Sequence, residues 1–183
     1  LQRKCLSKKE IIFNYQFYLG QIKRFLDLKK VRVVTNSFWL TKLRMEDVIN
    51  LMAFVTIVQM LRRNDFSKRF KLNIHIRFHE FFYPLLQGFD SVVLKADIEI
   101  GGIDQKFNFL LTRGLQKYYS QKSQICIMLP ILEGLDGFQK MSKSLNNCIF
   151  LDDTPEVMFG KIMSISDELM WVYFCKLGFY SIE

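Results

Sequence analysis

The chain has 183 residues, carries 26 Lys and Arg against 18 Asp and Glu, and is 50% apolar. That is enough chain for one to one and a half domains, with ample apolar content for a core, so intrinsic disorder is excluded as its main state. The most apolar run, residues 51–61, is about half the length of a bilayer span and contains Thr56 and Gln59, so no transmembrane helix is expected.

The elements follow in chain order. Ser7 and Glu10 have capping-box spacing, and Ile11, Ile12, Tyr15, Tyr18, Leu19, Ile22, Phe25 and Leu26 recur at helical spacing. An amphipathic helix is expected there, its aromatics packed in a core. Val31 to Thr35 is a β-branched run that reads as a buried strand. A long helix is expected over 45–63, and another over 79–92 with a kink near Pro84.

Glu99 to Gly102 reads as a short strand, 104–119 as a helix, and Ile125 to Leu129 as a second strand. Residues 133–147 lack periodicity and read as a loop. Thr154-Pro155-Glu156 starts a helix, and Ser166 caps a last one that Gly178 ends. Helices alternating with short buried strands imply an α/β fold with a mostly parallel sheet and flanking helices.

Four cysteines (Cys5, Cys126, Cys148, Cys175) form no CxxC pair, and His75 and His79 are the only histidines. No zinc site is expected, and reduced thiols in a cytosolic-type compartment are. The first residue is Leu1, and the polar stretch after it has no signal-peptide core. That start points to a processed or truncated chain.

Charge is uneven. Residues 1–77 hold 17 basic and 5 acidic side chains, residues 78–183 hold 9 and 13. A basic half suggests a polyanion partner, and Arg62, Arg63, Lys68, Arg69 and Lys71 form its densest cluster. The same cluster also reads as a solvated helical face.

Three segments carry chemistry. In Lys140-Met141-Ser142-Lys143-Ser144 two ammonium groups and two hydroxyls sit in a loop preceded by Gly134 and Gly137. A compact lysine charge suits phosphate oxygens, and such cations would stabilise charge developing on a leaving pyrophosphate. Two lysines in a loop also read as ordinary solvated charges, but the full pentapeptide is a specific signature.

Tyr83, Gln87 and Asp90 share one helix face. A phenol, an amide and a carboxylate there make a polar pocket wall on an otherwise apolar helix. In Glu99-Ile100-Gly101-Gly102-Ile103-Asp104-Gln105 a strand ends in two glycines, which permit close ligand approach at the carboxyl end of a parallel strand. Asp104 reads either as a ribose acceptor or as an N-cap.

In this order and spacing, YPLLQGFDS, KADIEIGGIDQKFN, LPILEGLDGFQKMSKS and MFGKIMSISDELMW resemble the class I tyrosyl-tRNA synthetases of the bacterial and organellar branch. The resemblance runs from about Leu6 to Leu177. It implies the second part of a Rossmann-like class I synthetase catalytic domain over 1–150, ending in the KMSKS loop, with 151–183 beginning the following helical region. It implies a ligase that activates tyrosine with ATP, releases pyrophosphate and charges tRNA(Tyr).

Carried over residue by residue, Tyr83 and Gln87 match holders of the tyrosine ammonium, and Asp90 matches the acceptor of the substrate phenol. Gln105 matches a residue near the tyrosine carboxylate. Gly101, Gly102 and Asp104 match the ATP ribose site. Lys140 and Lys143 match the lysines that bind the triphosphate, with Ser142 between them. Phe78 falls near the family's dimer contact, and Glu99 stands where some relatives carry glutamine.

ATP is then a substrate arriving with Mg2+, held by phosphates rather than a protein cage. A homodimer without a membrane association, in the bacterial-type cytoplasm or an organelle matrix, is implied. Arg62, Arg63, Lys68 and Arg69 become candidates for the tRNA.

The family's upstream segment, with its HIGH sequence and GDPSG loop, and its C-terminal RNA-binding domain have no counterpart in these residues. The 183 residues alone are therefore expected to be inactive in pyrophosphate exchange and to depend on a partner or further chain for solubility. Two other readings are a non-catalytic remnant binding RNA or a partner, and a tryptophan-type relative. The Tyr83, Gln87 and Asp90 face argues against the latter.

Overall fold

The computed structural model describes residues 6–178. The chain falls into two compact units, Leu1–Val34 with Leu132–Glu183, and Thr35–Ile131.

The central unit contains α2 (Ser37–Leu40), α3 (Met45–Ala53), α4 (Ile57–Leu61), α5 (Asn64–Lys71), α6 (Phe82–Leu94), β1 (Ile98–Gly102), α7 (Lys106–Tyr118) and β2 (Ile125–Leu129). Short 3-10 turns at Phe78–Phe81 and Ile103–Gln105 lead into α6 and α7. β1 and β2 pair in parallel, Ile98 opposite Ile125 and Gly102 opposite Leu129, with α7 as the crossover. Parallel pairing needs such a crossover, and the α/β class read from the sequence is the fold observed.

The core is where α6 and α7 pack. Leu85 and Val92 of α6 meet Leu111 and Leu115 of α7, closed by Leu51 of α3 and Met60 of α4. Gly88 is buried in this contact, because a Cβ there would lie 3.2 Å from Leu115.

The other unit contains α1 (Lys8–Ile22), a loop, α8 (Pro155–Met163) and α9 (Asp167–Leu177). The three predicted caps form. Ser7 accepts from the Glu10 N–H, Thr154 from that of Val157 and Ser166 from that of Leu169. Gly178 follows α9 in extended conformation, its N–H donating to the Phe174 carbonyl at 2.8 Å.

Four sequence expectations need correction. Val31 to Thr35 is not a strand: it is exposed and has no ladder partner among the described residues. β-branched composition favours a strand but supplies no neighbour to pair with. The helix expected over 45–63 is two helices. Thr56 accepts from the Gln59 N–H at 3.2 Å, while the Gln59 side chain accepts from the Thr56 N–H at 2.8 Å. This capping box starts α4 and ends any continuity with α3.

α1 buries none of its residues. Its apolar side chains, Phe13 and Phe17 among them, surround the helix rather than forming one stripe, so no single face can bury them. The helix expected from 79 begins as the 3-10 turn Phe78–Phe81, and Pro84 does not interrupt α6. It is the third residue of α6, where helix N–H groups lack partners anyway, so its missing donor costs nothing.

Candidate active site

Each unit carries one set of the predicted residues. In the central unit α6 presents Tyr83, Gln87 and Asp90 on one side, while Pro84, Leu85, Gly88, Ser91 and Val92 are buried on the other. Tyr83 is half exposed, its ring edge-on to His79. Asp90 is held at both carboxylate oxygens. Trp39 Nε1 donates to Oδ1 at 2.7 Å and Asn36 Nδ2 donates to Oδ2 at 3.1 Å. An indole N–H, when partly buried, needs such an acceptor. Neither Asn36 nor Trp39 was singled out from the sequence. The available signal was a tryptophan beside an asparagine in a segment without periodicity.

Gln87 joins the second segment through Asn108. The Asn108 amide donates to Gln87 Oε1 at 2.9 Å and to Gln105 Oε1 at 2.8 Å. The face of α6 and the turn after β1 thus converge on one buried side chain. Sequence reasoning missed Asn108 too, although a polar residue on the buried face of α7 marks it.

The two glycines have packing reasons. A Cβ on Gly101 would stand 2.8 Å from the Phe109 ring, and one on Gly102 2.6 Å from Asp104 Oδ1. Asp104 sits inside the 3-10 turn, at neither cap position, which removes its N-cap reading.

Glu99 has a structural environment. It accepts from the Ser91 hydroxyl at 3.0 Å and from the Gln124 side chain. Gln124 is itself buried and paired twice with Gln116. This network ties α6, α7 and the start of β2 behind the sheet, so every polar group in it has a partner. A cavity of about 300 Å3, lined partly by Lys95, Asp97, Lys122 and Gln124, lies at the amino end of the strands, opposite the turn that carries Gln105.

The basic cluster divides. Arg69 makes a two-pronged ion pair with Glu80, at 2.6 and 2.9 Å, and donates to the His75 carbonyl. Hydrogen bonding to Arg69 holds the Glu80 carboxyl down at about 2. Arg63 pairs with Asp65 at 2.7 Å and lies over the Phe66 ring. Arg62 and Lys68 are exposed and form no ion pair among the described residues.

In the other unit the lysine loop is built around Asn147, which is 5% exposed. Its Oδ1 accepts from the Ser142 N–H at 2.8 Å, and its Nδ2 donates to Asp136 at 2.7 Å and to the Lys140 carbonyl at 3.3 Å. Asp136 also accepts from the N–H groups of Phe138 and Gln139. Partial burial would raise the Asp136 carboxyl, but these donors hold it below its ordinary value.

Gly137 takes φ +80°, the left-handed turn that glycine favours. Gly134 lies so close to Asn147 that a Cβ would clash. Lys140 and Lys143 are exposed, and the Ser142 and Ser144 hydroxyls are 2.8 Å apart. The stem is fastened to α9: Tyr173 donates to the Glu133 carbonyl at 2.7 Å, and Lys176 pairs with the Glu133 carboxylate at 2.5 Å.

Among the described residues no three His, Cys, Asp or Glu side chains gather as metal ligands, and no helix is long and apolar enough to cross a membrane. Cys126, Cys148 and Cys175 are free thiols, and Cys5 lies outside the described residues.

The family model of tRNA synthetases class I (W and Y) matches residues 2–183. The chain belongs to that family. It is 54% identical to the tyrosine–tRNA ligase of Acidithiobacillus ferrooxidans over 96% of its length, and 58% identical to that of Carboxydothermus hydrogenoformans over 93%. It spans less than half of these relatives, 43% and 42%. Among solved structures it is similar to the Archaeoglobus fulgidus tyrosyl-tRNA synthetase complexed with L-tyrosine. The TM-score is 0.71 at 29% identity, over 93% of this chain and 56% of that one. The sequence resemblance to the tyrosine branch and the Rossmann-like class I fold are thereby established.

Proposed function

We propose that the protein is a tyrosine–tRNA ligase, activating tyrosine with ATP to tyrosyl-adenylate and passing the tyrosyl group to tRNA(Tyr). The observation that carries this reading is Asp90, a carboxylate with two donors fixed on it, on the same helix face as Tyr83 and Gln87. A carboxylate so oriented has lone pairs left for a phenol O–H, and a phenylalanine ring would cover the charge without supplying that further donor, which is costly in a desolvated pocket.

Gln105 and Gln87 face the amino-acid backbone in this reading, Tyr83 joins Gln87 at the ammonium, and Gly101, Gly102 and Asp104 flank the ATP ribose. The tyrosine carboxylate attacks the α-phosphorus of ATP and pyrophosphate leaves. Lys140 and Lys143, with Ser142 between them, stabilise the charge that gathers on it. The cationic character of that loop supports a phosphate-binding role, and Mg2+ arrives with ATP, held by phosphate oxygens.

tRNA is the polyanion for which Arg62 and Lys68 keep exposed charges, with Arg63 and Arg69 more restrained beside them. A homodimer contact including Phe78, whose exposed ring lies edge-on to Phe82, belongs to the same reading. Tyrosine-dependent ATP–pyrophosphate exchange by the full-length protein tests the proposal. Exchange with tyrosine and not with phenylalanine is the expected result, and its absence overturns it.

A further inference from the structure

Asn108 lies on the first turn of α7 and is 8% exposed. Its Nδ2 donates to the Oε1 atoms of both Gln87 and Gln105, and its buried Oδ1 has no partner among the described residues. One carboxamide therefore bridges two glutamines from different elements, α6 and the turn after β1.

An amide has two faces, and which one it shows matters. Turned over, Asn108 would accept from both glutamines with Oδ1 and bury two unused N–H groups in place of one unused acceptor. Both arrangements leave something unpaired, but the second strands more of it. The observed sense is therefore favoured, and it dictates that of its neighbours. A glutamine whose Oε1 is held by Asn108 keeps its Nε2 donors, and the second lone pair of Oε1, for another partner.

We infer that Asn108 is a positioning residue for the amino-acid substrate, fixing the amide sense of Gln87 and Gln105 so that Gln105 meets an α-amino-acid zwitterion with N–H donors for its carboxylate, while Gln87 keeps a lone pair of Oε1 for the ammonium. The inference rests on the ligase reading above. Asn108 itself touches no reacting atom in it. Its effect passes through the two glutamines: Gln87 can offer Oε1 to the ammonium in either amide sense, whereas Gln105 loses its N–H donors when turned over, so the effect falls on the carboxylate end of the substrate.

The test is Asn108→Asp in the full-length protein, with Asn108→Leu beside it. The first replaces the donors by acceptors at constant shape, so both glutamines must turn over to stay bonded. The second removes the bridge without adding charge. Thermal unfolding is followed for each, and pyrophosphate exchange is measured with tyrosine, with tyrosinol as competitive inhibitor. Tyrosinol keeps the ammonium and the phenol but lacks the carboxylate.

The KM for tyrosine is expected to rise about tenfold or more in Asn108→Asp, the loss of about one hydrogen bond. The inhibition constant of tyrosinol and the KM for ATP are expected to change less than about threefold, well short of a hydrogen bond's worth. Asn108→Leu should move the same way, by a smaller factor. If Asn108→Asp does not fold, the Leu variant alone decides.

A wild-type protein that exchanges normally, with variants in which tyrosine and tyrosinol weaken by the same factor or not at all, would overturn the inference and leave the ligase reading standing. A wild-type protein without tyrosine-dependent exchange would overturn both.

Discussion

Trp39 donates its indole N–H to Asp90 Oδ1 at 2.7 Å, across 51 residues of sequence. The carboxylate proposed to meet the substrate phenol is thus oriented by a side chain from another helix. Trp39→Phe keeps an aromatic ring but removes the donor. It should lower kcat/KM for tyrosine by about tenfold, the worth of one charge-assisted hydrogen bond. Asp90→Ala should go further, reducing the preference for tyrosine over phenylalanine by about 10–100-fold. Competition between the two amino acids in pyrophosphate exchange reads both effects. An unchanged preference in Asp90→Ala would remove Asp90 from the recognition of the phenol.

The Arg69–Glu80 pair gives a stability prediction with a definite pH sense. Glu80 has its carboxyl lowered to about 2 in the folded chain, chiefly by hydrogen bonding to Arg69. The unfolded chain binds a proton at this group near pH 4.3. The pair therefore stabilises the fold fully above about pH 5, and its contribution fades as pH falls from there towards 2. With the Glu80 side chain 15% exposed, Glu80→Gln should cost about 1–2 kcal/mol at neutral pH. Denaturant unfolding of wild type and variant should converge at low pH. A gap that persists at pH 2–3 would contradict this.

The same pair separates structure from recognition in the basic cluster. Arg62→Ala and Lys68→Ala should leave unfolding unchanged, weaken tRNA binding, and each reduce the salt slope of that binding by roughly 1. Arg69→Ala should instead destabilise the chain. Filter binding of tRNA over a range of salt, beside thermal unfolding, distinguishes them. Equal salt slopes in wild type and both exposed-site variants would make Arg62 and Lys68 an ordinary solvated face.

Asn147 gives the fourth prediction. Its side chain bonds Ser142, Asp136 and the Lys140 carbonyl from a buried position, so Asn147→Ala strips three bonds from the lysine loop at once. The fold should lose about 1–3 kcal/mol. The loop should become a site of early proteolysis, and the KM for ATP should rise more than that for tyrosine. Protease resistance equal to wild type would show that the loop holds its shape without Asn147.

Much of this was legible in local sequence. β1, β2, the caps at Ser7, Thr154 and Ser166, and the shared face of Tyr83, Gln87 and Asp90 all follow from periodicity and capping chemistry within a few residues. What was not legible acts at a distance. Asn36 and Trp39 reach Asp90 over 54 and 51 residues, and Asn108 reaches Gln87 over 21. No local pattern encodes those pairings.

The failures have the same origin. Val31 to Thr35 has strand composition but, among the described residues, no neighbour to complete a ladder, and the aromatics of α1 have helical spacing on every side. Composition and period say what a segment prefers, while packing partners decide what it becomes. The glycines of the GGxDQ segment show a further limit. Their absent Cβ atoms are explained by Phe109 and Asp104, neighbours only the fold supplies.

The most direct measurement is ATP–pyrophosphate exchange by the full-length protein, wild type beside Lys143→Ala, with tyrosine and with phenylalanine. Wild type should exchange with tyrosine alone. Lys143→Ala should slow exchange by about 100-fold or more, as expected for losing a group that stabilises developing charge, with the KM for tyrosine unchanged. Exchange by Lys143→Ala at the wild-type rate, or none by wild type with tyrosine, would contradict the account.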